Sequence, residues 1–228
     1  MDDLKLSELQ DKLGYTFNDP KYVTHALTHS SYTNENKLDR RESNERLEFL
    51  GDSLLGMKVA ELIFTNKPDL SEGIMTKLRA DMVCESSLAG IALELDLGLH
   101  ILLGRGEIKN GGRKRPSLLA DAFEALLAAV YLDGGHDALT CLIESIFLER
   151  INRTSFDNID YKTELQEFIQ LKPGRRLTYA LIDEQGPDHD KYFTIELCVN
   201  GKPISNGKGK SKKSAEQRAA KAALELLL

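Results

Sequence analysis

The chain is poor in cysteine, has no tryptophan and carries no net positive charge. Its 3 cysteines, Cys84, Cys141 and Cys198, are odd in number, far apart and without C-x-x-C spacing. They indicate neither a disulfide framework nor a zinc site, and a reducing compartment suits them best. The N-terminus places Asp2 and Asp3 where a signal peptide needs a basic stretch. No uninterrupted apolar run approaches the roughly 20 residues needed to span a bilayer. There is no internal repeat and no low-complexity tract. The expectation is a soluble cytoplasmic protein with no membrane partner.

At 228 residues the chain suits one mid-sized domain with a hydrophobic core and one smaller domain. Charge divides in the same way. Residues 1–150 hold 17 Lys+Arg against 25 Asp+Glu, and residues 151–228 hold 13 against 11. An acidic front with a mildly basic rear assigns affinity for a polyanion chiefly to the C-terminal part.

Up to about Leu148 the apolar residues recur with helical spacing, interrupted by turn signals such as Asn18-Asp19-Pro20, Lys67-Pro68-Asp69, Gly111-Gly112 and Gly134-Gly135. The pattern predicts helices over 7–13, 21–27, 44–64, 71–83, 84–95, 117–131 and 137–148. Around Asn152–Asn158 the periodicity lapses into a polar linker. Beyond it, 163–171 has helical spacing, 177–183 and 192–199 alternate like strands, and Asn200-Gly201 signals a two-residue hairpin into a third strand near 202–206. A closing helix starts at Ser211 or Ser214, with Ser214 and Gln217 spaced as a capping box. The predicted fold class is therefore an all-α domain plus a small α+β domain of order α-β-β-β-α. The predicted boundaries are 1–152, a linker at 153–159, and 160–228.

The most informative stretch is Asn44-Glu45-Arg46-Leu47-Glu48-Phe49-Leu50-Gly51-Asp52-Ser53. At about 100° per residue, Glu48 and Asp52 lie about 60° and 20° from Glu45, with Leu47, Leu50 and Leu54 roughly opposite. Carboxylates about 4 Å apart repel by roughly 4 kcal/mol per pair at an effective dielectric near 20, so a cation belongs among them. A second acidic pair, Asp121 and Glu124, interrupts the otherwise apolar helix 117–131. Charges on a core helix are costly unless paired or metal-bound. Ala120, Ala122, Ala125, Ala128 and Ala129 are small enough to let another helix approach closely. If that helix is the Glu45 helix, Glu48, Asp52, Asp121 and Glu124 converge. Four carboxylates without His or Cys suit Mg²⁺ or Mn²⁺, and such ions support phosphodiester hydrolysis. The plainer reading is a solvated acidic face paired with Arg40, Arg41 and Arg46.

The stretch Glu45–Ser53, together with Leu119-Ala120-Asp121-Ala122-Phe123-Glu124-Ala125, resembles the ribonuclease III family of double-stranded-RNA endonucleases. Further matches are Ala26–Tyr32, Glu72–Ala80 and Gly104–Arg115, so the likeness covers essentially the whole chain. The resemblance implies a metal site of Glu48, Asp52, Asp121 and Glu124, with Asp52 and Glu124 most directly tied to catalysis and Glu45 and Glu72 auxiliary. It implies Mg²⁺ as cofactor, with Mn²⁺ able to substitute. It also implies a homodimer that cuts both strands, leaving 5′-phosphate and 3′-hydroxyl ends with a short 3′ overhang, in ribosomal precursors and other structured transcripts. Phe49, about 40° from Glu45 on the wheel, either packs within the protomer or is covered by a second copy. Met75 and Thr76 stand where leucine and serine are more usual, and Ala128-Ala129 where glycine is common; none touches an expected ligand.

The C-terminal part resembles the double-stranded-RNA-binding domain. Lys208, Lys210, Lys212 and Lys213 cluster at the start of the last helix, opposing its dipole, so an external anion such as RNA phosphate is expected there. The resemblance adds Thr163, Gln166 and Glu167 on the first helix of this domain, and Pro187 and His189 in the first strand loop, as minor-groove contacts. Arg105, Lys109, Arg113, Lys114 and Arg115 either guide the RNA backbone or form a solvated loop. His29, Ser30 and Ser31 are read as capping and hydrogen-bonding groups. The expected partners are double-stranded RNA and a second copy of the chain, with no small-molecule substrate. The rival reading is a non-cleaving RNA-binding protein of the same fold.

Overall fold

The computed structural model describes residues 3–154, 161–170, 174–187 and 191–227. The chain divides into two compact units, Met1–Thr154 and Ser155–Leu228. Of the expected linker, positions 155–159 lie outside the described residues.

The first unit is helical: α1 (Asp3–Leu13), α2 (Pro20–Ala26), α3 (Ser30–Glu35), α4 (Glu45–Asn66), α5 (Glu72–Val83), α6 (Glu85–Glu94), α7 (Leu97–His100), α8 (Arg105–Lys109) and α9 (Pro116–Arg153). Local chemistry sets several boundaries. Asp19 caps α2 by accepting the Lys21 N–H at 2.9 Å, and Pro20 takes the first helical position, where no N–H is needed. The Gly134-Gly135 signal does not separate two helices as expected; it kinks one, with Gly135 at φ 79°. The Asp133 carboxylate anchors this bend, accepting from the Tyr15 hydroxyl at 2.7 Å and from the N–H groups of Asn18 and Asp19.

α9 is the axis of the core. Leu119, Phe123, Leu126 and Phe147 are fully buried, with Leu55 and Ile63 of α4 and Leu88 and Ile91 of α6. Burying each such side chain stabilises the fold by about 1.5–3 kcal/mol relative to exposure. By length and composition alone α9 is apolar enough to cross a membrane, although acidic residues interrupt its apolar run, as expected. Its apolar residues instead supply the core of this unit.

On α4 the buried stripe is Leu47, Gly51, Leu55, Lys58, Val59, Leu62 and Ile63. Leu50 and Leu54, expected opposite the acids, are only half-buried. The inward face includes Gly51, which packs against the α9 backbone at Glu124 and has no side chain to register on a hydropathy wheel.

The second unit comprises α10 (Tyr161–Gln170), β1 (Leu177–Gln185), β2 (Tyr192–Val199), β3 (Lys202–Gly209) and α11 (Lys212–Leu227). The strands form an antiparallel sheet in the order β1-β2-β3. Asn200 and Gly201 both adopt positive φ, 51° and 77°, as a tight hairpin requires. Ile195 and Leu197 point to one face, where Leu165 and Ile169 of α10 and the alanine ridge Ala215, Ala219, Ala220 and Ala223 of α11 cover them. Gly207 permits this contact, since a Cβ there would lie 2.1 Å from the Ala215 carbonyl oxygen. The expected capping box at Ser214 is replaced. α11 begins at the earlier of the two expected positions: Ser211 Oγ accepts the Ser214 N–H at 3.1 Å, and Gln217 Oε1 accepts from the Lys162 N–H.

Candidate active site

α4 and α9 carry the acids to one place. Gly51 lets the helices meet so closely that a Cβ there would stand 1.9 Å from the Glu124 carbonyl oxygen. One carboxylate oxygen from each of Glu48, Asp121 and Glu124 then falls within 4.8 Å of the other two, and all three residues are half-buried. Asp52 lies outside that trio and is exposed, but its charge acts on both Glu48 and Glu124.

The electrostatics are those of a site lacking positive charge. Burial, reinforced by Asp52, Glu48 and Asp121, pushes the Glu124 carboxyl up to about 7. Glu48 is raised by burial first, then by Asp121, Glu45 and Asp52. Asp121 is raised by burial first and then by Glu85, with His29 opposing. The acids of the cluster repel, so a bound cation would relieve all three at once. The donor set fits a hard divalent ion: ligands about 2.0–2.6 Å from such an ion span up to about 4–5 Å, and the oxygens are already that close.

Glu45 is exposed and ion-paired at 3.4 Å to Arg40, so the arginine pairing holds for this acid; Arg41 pairs instead with Asp39 at 2.7 Å. Glu72 is exposed at the start of α5, accepting from the Thr76 hydroxyl at 3.0 Å, and is not among the converging carboxylates. It borders a cleft of about 340 Å³ shared with Phe64, Met75 and Arg79. Phe49 does not pack within the protomer: it is 78% exposed, with Met57 and Phe64 of the same helix at 49% and 71%.

Sequence reasoning missed two neighbours of Asp121, Glu85 and His29, and an acid beside His29, Glu107. Glu85 opens α6 and adds its charge to Asp121. His29 caps α3 as expected, its Nδ1 lying 2.8 Å from the Ser31 hydroxyl, yet it also feels Glu107, Asp121, Arg115 and Glu45, while burial holds its pKa below the ordinary histidine value. Glu107 accepts an ion pair from Arg115 at 2.6 Å. The 27–29 and 101–104 segments run side by side, with Leu102 N–H donating to Leu27 O at 2.8 Å and His29 N–H to Leu102 O at 3.1 Å. That ladder carries the Arg105–Arg115 segment toward the acids, a tertiary relation with no local sequence signal.

In the second unit, Lys210, Lys212 and Lys213 are exposed around the start of α11. Lys208 and Lys210 lie over the Tyr192 ring, 5.5 and 5.6 Å from its centre, and Lys212 lies 5.9 Å from that of Phe193. Thr163 and Gln166 are exposed on α10, and Pro187 is exposed after β1. His189 and the side chain of Glu167 lie outside the described residues.

Residues 19–151 match the family model described as ribonuclease-III-like, and residues 161–227 match the double-stranded RNA binding motif. The protein named Ribonuclease 3 from Pelotomaculum thermopropionicum is 48% identical, over 96% of this chain and 92% of its own length. That from Geobacillus kaustophilus is 47% identical, over 98% and 91%. Among solved structures, a ribonuclease III nuclease domain from Campylobacter jejuni superposes with a TM-score of 0.60 at 36% identity, covering 68% of this chain and all of that one. A second structure of that domain, 42% identical with a TM-score of 0.56 over 62% of this chain and 98% of its own, is described as flexible in a region involved in dimer formation.

Proposed function

The chain belongs to the ribonuclease III family, and we propose that this double-stranded-RNA endoribonuclease carries its chemistry on Glu48, Asp52, Asp121 and Glu124, with Mg²⁺ as the physiological ion. The observation that supports this is the convergence of three half-buried carboxylate oxygens within 4.8 Å. When bound there, a divalent cation supplies positive charge to acidify water and to stabilise charge developing at the phosphorus. Mn²⁺, which shares the preference for oxygen ligands, would substitute.

The residues divide the labour by environment. Glu48, Asp121 and Glu124 present oxygens from rigid, half-buried helix positions, which fixes where the reacting phosphate must sit. Asp52, exposed beside them, is placed to accept a proton from the attacking water. The lysines at the start of α11 and the polar face of α10 hold the duplex by its phosphates and 2′-hydroxyls, a readout of shape that favours RNA over DNA. The domain boundaries proposed for this division are 1–152 and 160–228.

The working unit is a homodimer, supported by the exposed apolar stripe Phe49, Met57 and Phe64 on α4. Two active sites acting on opposite strands would leave 5′-phosphate and 3′-hydroxyl ends with a short 3′ overhang, and Glu45 and Glu72 would serve as auxiliary acids. Structured transcripts, ribosomal precursors included, are the substrates. The three free cysteines suit a reducing cytoplasm.

The test is Glu124→Ala with a long RNA duplex and Mg²⁺. Cleavage should fall by at least about a thousandfold while duplex binding in gel-shift assays is retained. Cleavage at the wild-type rate would remove Glu124 from the chemistry, and a wild type that binds but never cuts would return the rival, non-cleaving reading.

A further inference from the structure

Asn44 occupies the N-cap of α4, where an asparagine side chain ordinarily accepts an N–H from the first turn. It makes no such bond. Its backbone adopts α-region angles, φ −70° and ψ −9°, and its C=O already accepts the Glu48 N–H at 2.9 Å, so it extends the helix by one residue. Its own N–H donates to the Thr28 carbonyl at 2.8 Å. By helical phase it falls on the buried arc, in line with Leu62 and about 20° from Leu55, where an apolar residue would be expected. It is 2% exposed, and its Nδ2 is buried without a hydrogen-bond partner.

A buried amide NH₂ with nothing to donate to is costly, so a structure keeps one where a partner arrives later. The acceptor within reach is defined by the helix. Residues four apart are neighbours, and four residues on from Asn44 is Glu48. Among the described residues no side chain donates a hydrogen bond to the Glu48 carboxylate, one oxygen of which belongs to the trio with Asp121 and Glu124.

We propose that Asn44 is a positioning residue for the metal site: its Nδ2–H donates to the Glu48 carboxylate oxygen that faces away from the cation, fixing which oxygen is offered as ligand. This rests on the metal-binding reading given above. Such outer partners orient a ligating carboxylate, and losing one weakens metal affinity by about 10–100-fold.

The test uses the full chain and two measurements. In protein labelled with ¹⁵N-asparagine, titrating Mg²⁺ should shift the Asn44 side-chain NH₂ resonances and slow their exchange with water. By electron paramagnetic resonance, Asn44→Ala should bind Mn²⁺ about 10–100-fold more weakly than wild type while its metal-free melting temperature changes little. An unmoved NH₂ signal in a wild type that binds Mg²⁺, or wild-type Mn²⁺ affinity in Asn44→Ala, overturns the assignment. If Asn44→Ala fails to fold, the wild-type titration alone decides. If the wild type binds neither ion, the metal-site reading itself fails, and this inference with it.

Discussion

Gly51 of α4 faces the main-chain carbonyl of Glu124 on α9 at a distance that leaves no room for a methyl group: a Cβ would stand 1.9 Å from that oxygen. The atom in the way is backbone, so a larger residue must push the helices apart. Gly51→Ala should therefore cost about 3 kcal/mol or more, beyond the gain in helix propensity. It should also separate Glu48 from Asp121 and Glu124, with cleavage reduced by at least about a hundredfold. Thermal melts together with cleavage rates check this. A stable and fully active variant would show that the close approach is not what assembles the site.

Glu124 makes the metal-free protein dependent on pH. Its carboxyl titrates at about 7 in the folded state, against an ordinary value of 4.5, because of burial and then the charges of Asp52, Glu48 and Asp121. Between those values the folded chain binds more protons than the unfolded one, so stability is greatest in acid and falls as pH rises. The loss builds up as pH rises from about 4.5 through about 7 and is complete above that range. The raised Asp121 and Glu48 add in the same direction. With chelator present, Glu124→Gln should melt several degrees above wild type at pH 8 and close to it at pH 4. Parallel melting curves across that range would show that Glu124 carries no such strain.

Phe49 sits 78% exposed on a helix whose Met57 and Phe64 are also open. In a two-fold interface each substitution acts twice. Removing one aromatic contact per protomer should weaken association by about 4 kcal/mol in total, close to a thousandfold. Phe49→Asp should sediment as a monomer at micromolar concentration where wild type is a dimer, with an unchanged circular dichroism spectrum. A variant that still sediments as a dimer would place the interface elsewhere.

What the sequence makes legible here is whatever is encoded at short range. The spacing of Glu45, Glu48 and Asp52, and of Asp121 and Glu124 inside an apolar run, is a property of single helices; so is the Asn200-Gly201 hairpin, whose positive φ values are a local demand of the turn. The rest is tertiary. Gly51 carries no hydropathy signal, yet it lies on the buried face of α4 against the Glu124 backbone, while Leu50 and Leu54 are only half-buried. His29 and Glu85 come from separate segments, and nothing in their own neighbourhoods says that both will act on Asp121, or that a backbone ladder through Leu102 will hold the His29 segment. The short helices α3, α7 and α8 span 6, 4 and 5 residues, too few for periodicity to show. Of the two starts the sequence offers for α11, β3 ending at Gly209 leaves room for Ser211, with only Lys210 and Ser211 before the helix begins.

Lys212 and Lys213 open α11 with positive charge at the end where the helix dipole is already positive, and both are exposed. That arrangement is mildly destabilising without an anion and favourable with one, which supports the proposal that the two lysines contact phosphate. A phosphate contact contributes affinity through counterion release and says nothing about sequence. The double substitution Lys212→Ala and Lys213→Ala should accordingly weaken duplex binding about equally for unrelated RNA sequences. It should lower the slope of log affinity against log salt by about 1 for each lysine, and leave the melting temperature unchanged or slightly raised. Fluorescence anisotropy on two unrelated duplexes between low and moderate salt reads all of this except the melt. A loss confined to one sequence, or an unchanged salt slope, would mean that these lysines do not touch the backbone and that the duplex is gripped by another face of the domain.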